Sequence, residues 1–225
     1  MYVRKEYGQH TENIRMYDAV IFDLDGTLLD TESLTQAAGI LAFSDCGVTV
    51  APAFLHGLIG RDDVTGAGII RAHFPELDFT NFTQVWKRRV IEHYATGIPL
   101  KPGTHDLLGA ITLPMALATS STRAQLDYKL GVTDIAAYFR HFVTFNDVTR
   151  AKPAPDPFLL AAKLLGVDPA RCVAFEDSEA GAESAHRAGM TVVQVPDINP
   201  ASGRFAHLIA PDLLTGAREI GLLPK

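Results

Sequence analysis

The sequence is short of cysteine, of positive charge and of long apolar runs. Its two cysteines, Cys46 and Cys172, stand far apart and outside any CxxC or CxxxH spacing, so we expect neither a disulfide framework nor a zinc site. A formal net charge of -6 argues against nucleic acid or an anionic membrane as a partner, since both attract basic surfaces. No stretch reaches the roughly 18 apolar residues of a membrane span, and the first residues lack the apolar segment of a signal peptide. We therefore expect a soluble, cytoplasmic protein.

What the sequence does contain is a series of short apolar runs that are typical of buried parallel strands. Helical patterns separate most of these runs. Alternation of strand and helix predicts right-handed crossovers and a parallel sheet covered on both faces. We predict an α/β fold with a Rossmann-like open parallel sheet as its core. The predicted strands are 19–22, 115–118, 142–145, 172–175 and 191–195, and the predicted helices between them include 124–130, 158–165 and 180–188.

The first two predicted strands are separated by about ninety residues, which is too long for a single crossover. Apolar positions at helical spacing within this stretch predict helices near 34–43 and 85–94, the second capped by Thr80 or Asn81. We therefore predict an inserted, mostly helical cap. In this division, residues 31–99 form the cap, residues 18–30 and 100–225 form the α/β core, and residues 1–17 form an N-terminal extension outside the fold.

Two aspartates, Asp23 and Asp25, directly follow the first predicted strand. Residues two apart on an extended chain point the same way, so both carboxylates are predicted to face the edge of the sheet where open α/β sheets bind ligands. Two acids this close both stay ionised only if a cation or a proton intervenes. Gly26 permits the turn that follows. A capped Asp-Gly turn at the end of a strand is the structural alternative, and it accounts for one aspartate better than for both.

Three further polar segments follow predicted strands, and each has a functional and a structural interpretation. Thr119 and Ser120 offer groups that hold phosphate oxygens, or they form an ordinary helix cap. Lys152 precedes a proline that favours an extended geometry, and it is either an inward-pointing ammonium or part of a solvated loop. Glu176 and Asp177 offer oxygen ligands to a hard cation, or they cap a helix. With the aspartate pair, the set is complete for phosphoryl transfer, which requires a nucleophile, a proton shuttle, a cation, an anchor and a counter-charge.

Together these motifs resemble those of the haloacid dehalogenase superfamily, in the branch with a helical cap inserted after the first motif, and in particular β-phosphoglucomutase-like phosphatases. The similarity covers residues 18 to about 197. The segment 23–28, Asp-Leu-Asp-Gly-Thr-Leu, is similar to the DxDGT motif, and Thr119, Lys152 and the segment 176–178 are similar to the other three motifs. The resemblance implies an enzyme, a Mg²⁺-dependent phosphatase whose partner is a small phosphorylated metabolite such as a sugar phosphate.

The resemblance also implies a role for each matched residue. Asp23 is expected to attack phosphorus and form an aspartyl-phosphate. Asp25 is expected to protonate the leaving oxygen and then to activate water. The implied Mg²⁺ ligands are the carboxylates of Asp23 and Asp177, the main-chain carbonyl of Asp25, and Glu176 directly or through water. The phosphoryl group is expected to be held by Thr119, the amide of Ser120 and Lys152.

Cap residues are expected to set the specificity, because cap closure brings them over the core site and excludes water. The segment 59–63 is similar to the cap loop of β-phosphoglucomutases. This similarity implies that Arg61 contacts a distal phosphate of the substrate. The alternative is an exposed arginine at the start of a helix.

Three other functions compete with the phosphatase prediction. A phosphosugar mutase uses the same core, but Thr35 stands where the mutases have a histidine early in the cap. A haloacid dehalogenase lacks the second acid of the first motif, so Asp25 argues against it. A non-catalytic phosphate-binding module is the alternative that is not an enzyme. For the oligomeric state, we expect a monomer or a weak homodimer.

Overall fold

The computed structural model of the protein describes residues 16–58 and 63–224. Residues 1–15 of the predicted extension, and the predicted site residue Arg61, lie outside the described residues. Tyr17, which we assigned to the extension, is buried against the apolar core. None of the described helices is long and apolar enough to cross a membrane.

The described strands form one sheet in which all the paired neighbours are parallel. They are β1 (Ala19–Phe22), β2 (Met115–Ala118), β3 (His141–Val143), β4 (Cys172–Glu176), β5 (Thr191–Gln194) and β6 (Leu208–Ile209). Their order is β3-β2-β1-β4-β5-β6, which is the doubly wound order that opens a crevice at the carboxyl ends of the central strands. The predicted α/β fold with an open parallel sheet is confirmed.

The described helices are α1 (Thr31–Asp45), α2 (Pro52–His56), α3 (Asp63–His73), α4 (Phe79–Ala95), α5 (Thr104–Ala110), α6 (Arg123–Gly131), α7 (Asp156–Leu165), α8 (Glu179–Arg187) and α9 (Leu213–Glu219). Alternate residues of β1 point to opposite faces of the sheet. Val20 and Phe22 pack in an apolar cluster with residues of α5, α6 and α9, and Ala19 and Ile21 pack in a second cluster with residues of α7 and α8. Helices therefore cover both faces, as the continuous apolar strands require.

Helices α1 to α4 lie between β1 and β2 in the chain and share an apolar cluster of their own. Phe43 and Phe82 form its centre, with ring centroids 4.4 Å apart. The described part of residues 31–99 is mostly helical, and no strand occurs within that part. The division of the chain into a core and a cap at these boundaries stays a prediction.

Three of the differences between the structure and the predicted elements have a clear local cause. The third strand ends at Val143, because Thr144 and Asp147 hydrogen-bond each other and begin a short 3-10 turn. Helix α4 begins six residues earlier than predicted, and its cap is Asp78, which accepts a hydrogen bond from the amide of Asn81. Thr80 and Asn81 are therefore not the cap. The sixth strand was not predicted, since a strand of two residues has no apolar run of its own.

Candidate active site

The register of β1 and β4 brings two acidic side chains together at the carboxyl edge of the sheet. Phe22 lies opposite Phe175 in the parallel ladder, and the amide of Asp23 donates to the carbonyl of Phe175 at 3.0 Å. Asp23 and Glu176 are therefore neighbours at the ends of adjacent strands. Both are buried, Asp23 with 5% of its surface exposed and Glu176 with none.

Lys152 lies between these two acids. Its Nζ is 2.5 Å from Oδ1 of Asp23 and 2.5 Å from Oε1 of Glu176, and only 5% of its side chain is exposed. Burial opposes the positive charge, but Asp23 and Glu176 outweigh this effect and raise the pKa of Lys152. A buried ammonium needs such partners, because an unpaired buried charge is strongly destabilising. The structure thus supports an inward-pointing Lys152 over a solvated loop.

Glu176 has further partners that fix its carboxylate. Its Oε2 accepts hydrogen bonds from the hydroxyl of Ser178 at 3.1 Å and from the amide of Ser178 at 3.4 Å. A Cβ added to Gly181 would lie 1.9 Å from the carboxylate of Glu176. Gly181 therefore leaves the space that this carboxylate occupies.

Asp177 approaches Asp23 through Thr27, to which sequence reasoning gave no role. The Thr27 hydroxyl is 3.2 Å from Oδ2 of Asp23 and 3.3 Å from Oδ1 of Asp177, and its single proton serves one of them at a time. Gly26 has φ +80°, and a Cβ there would lie 2.4 Å from Oδ2 of Asp177. A glycine at position 26 is therefore required both by the turn and by the approach of Asp177.

Asp23, Glu176 and Asp177 form a cradle of oxygen ligands. One carboxylate oxygen from each lies within 4.8 Å of the others. Burial raises the pKa of Asp23 to about 7. Lys152 lowers this pKa, whereas the negative charges of Glu176 and Asp25 raise it. Burial, Asp23 and Glu176 raise the pKa of Asp177 well above its ordinary value. An all-oxygen set whose negative charges oppose one another fits a hard divalent cation such as Mg²⁺.

Mg²⁺ is expected to stabilise the protein more at pH 8 than at pH 5. The pKa of Asp23 is about 7 in the folded protein and 3.8 as a free side chain. The raised pKa of Asp23 therefore has no effect on the free energy of unfolding below pH 3.8. It lowers this free energy increasingly as the pH rises from 3.8 to 7, and by the full amount above pH 7. A cation held by the cradle offsets this cost. At about 100 times its Kd, a ligand adds about 2.7 kcal/mol, which raises the Tm of a domain this size by roughly 5–10 °C.

Thermal melting with Mg²⁺ and with EDTA, at both pH values, measures this effect. The matched variant is Asp127→Asn, since Asp127 is an exposed carboxylate on α6, and it should respond as the unmodified protein does. An increase in Tm that is the same at pH 5 and pH 8 would contradict the assignment of the cation to these buried acids.

Asp25 has different partners from Asp23, although both line the same cavity. Its carboxylate is held by Lys129, with Nζ 2.6 Å from Oδ1 and 2.7 Å from Oδ2, and by the hydroxyl of Ser121 at 2.8 Å from Oδ2. Sequence reasoning gave no role to Lys129, which lies 104 positions from Asp25 in the chain. No short-range pattern connects the two residues.

The other predicted phosphate-binding residues lie after β2, as expected. Thr119 is buried, and its hydroxyl accepts a hydrogen bond from the amide of Ser121 at 3.0 Å. Ser120 is exposed and lines the cavity. The N-cap of α6 is Thr122, through a capping box with Gln125, so Thr119 and Ser120 are not used as the helix cap.

The cavity above these residues has a volume of about 610 Å³. Asp23, Asp25 and Lys152 contribute to it from the core, and Glu32 at the start of α1 contributes from the segment predicted as the cap. Burial, Asp25 and Asp197 raise the pKa of Glu32. Glu32 is a further cavity residue that sequence reasoning missed, since an acid in the first turn of a helix is common for electrostatic reasons alone.

Comparison with known proteins identifies the family of this chain. The family model described as haloacid dehalogenase-like hydrolase matches residues 20–195. Protein CbbY of Rhodobacter capsulatus is 33% identical in an alignment of 222 positions that covers 89% of this chain and 96% of that protein. Fructose-1-phosphate phosphatase YqaB of Escherichia coli K12 is 32% identical in an alignment of 184 positions that covers 80% of this chain and 96% of that protein.

Among solved structures, a HAD family hydrolase from Deinococcus radiodurans R1 with bound phosphate and sodium has a TM-score of 0.80 and 26% identity. The match covers 93% of this chain and 99% of that one. The family model spans most of this chain, and the fold agrees with that of the solved hydrolase structure. The chain therefore belongs to the haloacid dehalogenase-like hydrolases.

Proposed function

We propose that the protein is a phosphatase that hydrolyses small phosphomonoesters, sugar phosphates in particular, through a phosphoryl group carried on Asp23. The observation that carries the proposal is the buried ammonium of Lys152 beside Asp23, at the floor of a polar cavity. A phosphate in this cavity meets a carboxylate nucleophile and a positive charge together. The relative named fructose-1-phosphate phosphatase supports the class of substrate.

In the proposed reaction, the carboxylate of Asp23 attacks phosphorus while the bond to the leaving oxygen breaks, and Asp25 gives that oxygen a proton. Asp25 then takes a proton from a water molecule, whose oxygen attacks the aspartyl-phosphate and releases inorganic phosphate. Lys152, Thr119 and the amide of Ser120 hold the transferring group throughout. Their contribution is electrostatic and is in place before the reaction begins.

The residues that would hold Mg²⁺ are Asp23 and Asp177, together with the main-chain carbonyl of Asp25. Glu176 belongs to the same cradle, but its two oxygens already bond Lys152 and Ser178, which favours a contact through water. When bound, Mg²⁺ supplies positive charge that offsets the repulsion between these carboxylates and the phosphoryl oxygens.

The lining of the cavity favours a leaving group that carries hydroxyls. Glu32 and Asp197 add carboxylate oxygens, which only accept hydrogen bonds when ionised. Oδ1 of Asp197 already bonds Lys101, whereas its Oδ2 is buried without a partner among the described residues. Sugar hydroxyls are suitable donors to such an oxygen, whereas a large apolar alcohol would leave it unpaired. The predicted contact of Arg61 with a distal anionic group stays a proposal.

The direct test is the release of inorganic phosphate from a panel of sugar phosphates, other metabolite phosphomonoesters and p-nitrophenyl phosphate, with Mg²⁺ and with EDTA. Substrates are ranked by kcat/KM, because this ratio measures discrimination. We expect Mg²⁺-dependent release, with sugar phosphates ranked first. Conversion between phosphosugar isomers without release of phosphate would favour a mutase, and binding of phosphate without turnover would favour a binding module.

Arg61→Ala is expected to raise KM by about tenfold for substrates with a second anionic group and to change KM little for p-nitrophenyl phosphate. Loss of a single charged contact corresponds to about 1.5–3 kcal/mol, hence an effect of this order or larger. Steady-state kinetics on a bisphosphate and on its monophosphate measure the difference. Equal increases in KM for both classes would remove Arg61 from substrate recognition.

A further inference from the structure

Lys129, on the last turn of α6, is almost fully buried, with 7% of its surface exposed. The proposed reaction gives it no task. Its Nζ is within 2.6–2.8 Å of three acceptors, namely Oδ1 and Oδ2 of Asp25 and the hydroxyl of Ser121. A lysine ammonium has three N–H donors. These three acceptors therefore match its full hydrogen-bonding capacity.

Ser121 completes a closed set of contacts around Asp25. Its hydroxyl accepts from Lys129 and donates its one proton to Oδ2 of Asp25 at 2.8 Å. The backbone of Ser121 is also fixed, since its amide donates to the Thr119 hydroxyl and its carbonyl accepts from the amide of Phe145, both at 3.0 Å. The carboxylate of Asp25 is thus tied to the loop after β2 and to α6.

The ring of Tyr94 on α4 lies near Lys129. Its ring centroid is 6.0 Å from Nζ, and the tyrosine itself is buried. A lysine is rarely buried without a compensating partner. A residue that served packing alone could be apolar at this position, so the burial of a charge here indicates that its contact with Asp25 matters.

We propose that Lys129 is a positioning residue for proton transfer, which with Ser121 sets the orientation of the Asp25 carboxylate toward the cavity. The inference rests on the proposed function, in which Asp25 loses one proton to the leaving oxygen and regains one from the attacking water. Both transfers need the carboxylate within hydrogen-bond reach of the reacting oxygen. Lys129 does not line the cavity in which the leaving oxygen and the attacking water would lie. It acts through Asp25.

The test compares Lys129→Met with the unmodified protein on two esters. For a sugar phosphate, whose leaving oxygen needs a proton, we expect kcat/KM to fall about 10- to 100-fold, which is part of the 10²- to 10⁴-fold effect of a general acid. For p-nitrophenyl phosphate, whose leaving group departs without a proton, kcat/KM should fall less than about threefold. The same variant should release nitrophenolate in a burst, because water activation then limits turnover.

Two comparisons separate positioning from a loss of folding. In an Asp25→Asn background, Lys129→Met should cause little further loss, because the residue through which it acts is already absent. Ser121→Ala, which keeps the lysine, should also lower kcat/KM more for the sugar phosphate than for p-nitrophenyl phosphate, but by a smaller factor. If Lys129→Met does not fold, this variant provides the test of the positioning role. The matched control is Lys163→Met, an exposed lysine on α7, with unchanged kinetics expected.

The outcomes also distinguish this inference from the proposed function. If the unmodified protein releases no phosphate from any ester with Mg²⁺, the proposed function fails. If it does release phosphate, but Lys129→Met and Ser121→Ala lower kcat/KM equally for both esters, or Lys129→Met costs as much in the Asp25→Asn background as alone, the positioning role is wrong.

Discussion

Asp23→Asn is expected to abolish turnover, with kcat lowered by at least about 10⁴-fold, as for other catalytic nucleophiles. An amide does not attack phosphorus as a carboxylate does, so the covalent route closes. The substitution nearly conserves size. It also removes a carboxyl group whose ionised form is disfavoured in the folded protein, since burial raises the pKa of Asp23 to about 7. The metal-free variant should therefore melt no lower than the unmodified protein at pH 8.

Three measurements check this prediction together. Steady-state release of phosphate gives the loss of kcat, thermal melting gives the stability, and the intact mass after an acid quench reports a phosphoryl adduct. We expect the adduct in the unmodified protein and not in Asp23→Asn. The exposed substitution Asp127→Asn on α6 controls for a change of charge alone. Near-normal activity of purified Asp23→Asn would rule out the proposed mechanism.

The parts of the site that could be predicted from the sequence are those fixed by strand ends. The run Ala19–Phe22 is apolar and buried on both faces, so the polar residue that follows it must lie at the carboxyl edge of the sheet. The same reasoning applies to Glu176 and Asp177 after their strand. Since parallel neighbours share this edge, their proximity to Asp23 follows from topology once the strand order is given.

The contacts of Asp25 could not be predicted in this way. Period-two alternation predicts that Asp25 points to the same side as Asp23, and both residues line the cavity. It does not predict the partners of Asp25, which are Lys129 and Ser121. Burial of Lys129 is set by how α6 packs, which no local pattern encodes. A lysine in the last turn of a helix is ordinarily placed there by the helix dipole and stays in solvent.

Gly181 shows a similar limit of sequence reasoning. The small residues of α8 predict close packing of this helix against the sheet, which is correct for the buried Ala182. Which atoms fill the space above Gly181 depends on the rotamer of Glu176, and that rotamer is fixed by Lys152 and Ser178. Ion pairs of this kind depend on the three-dimensional arrangement. The one sequence feature that accompanies them here is the glycine at position 181.

Lys152→Met is expected to have the second large effect, on stability as well as activity. The substitution leaves Asp23 and Glu176 buried without the cation that pairs them, and breaking a buried pair costs about 3–5 kcal/mol. For a domain this size, that cost lowers Tm on the order of 10 °C. Activity should fall by about 10²- to 10³-fold or more, since the positive charge beside the transferring phosphoryl group is lost.

The dependence on pH and Mg²⁺ distinguishes this cause from a simple packing defect. Asp23 and Glu176 raise the pKa of Lys152, so its stabilising charge is fully present below its ordinary pKa and is lost only when the pH rises above that value. At pH 8 the full cost of the substitution therefore appears. At pH 5 it should be smaller, because Asp23, with a pKa of about 7, is then protonated and no longer repels Glu176.

Saturating Mg²⁺ should raise the Tm of Lys152→Met more than that of the unmodified protein, because a cation then takes over part of the pairing of the two acids. It should not restore activity, since a cation shared by the carboxylates does not supply the N–H donors that the ammonium offers to the transferring phosphoryl group. Lys163→Met serves again as the exposed control. A cost in Tm that is the same at pH 5 and pH 8 would mean that Lys152 stabilises the fold by packing and not by pairing Asp23 with Glu176.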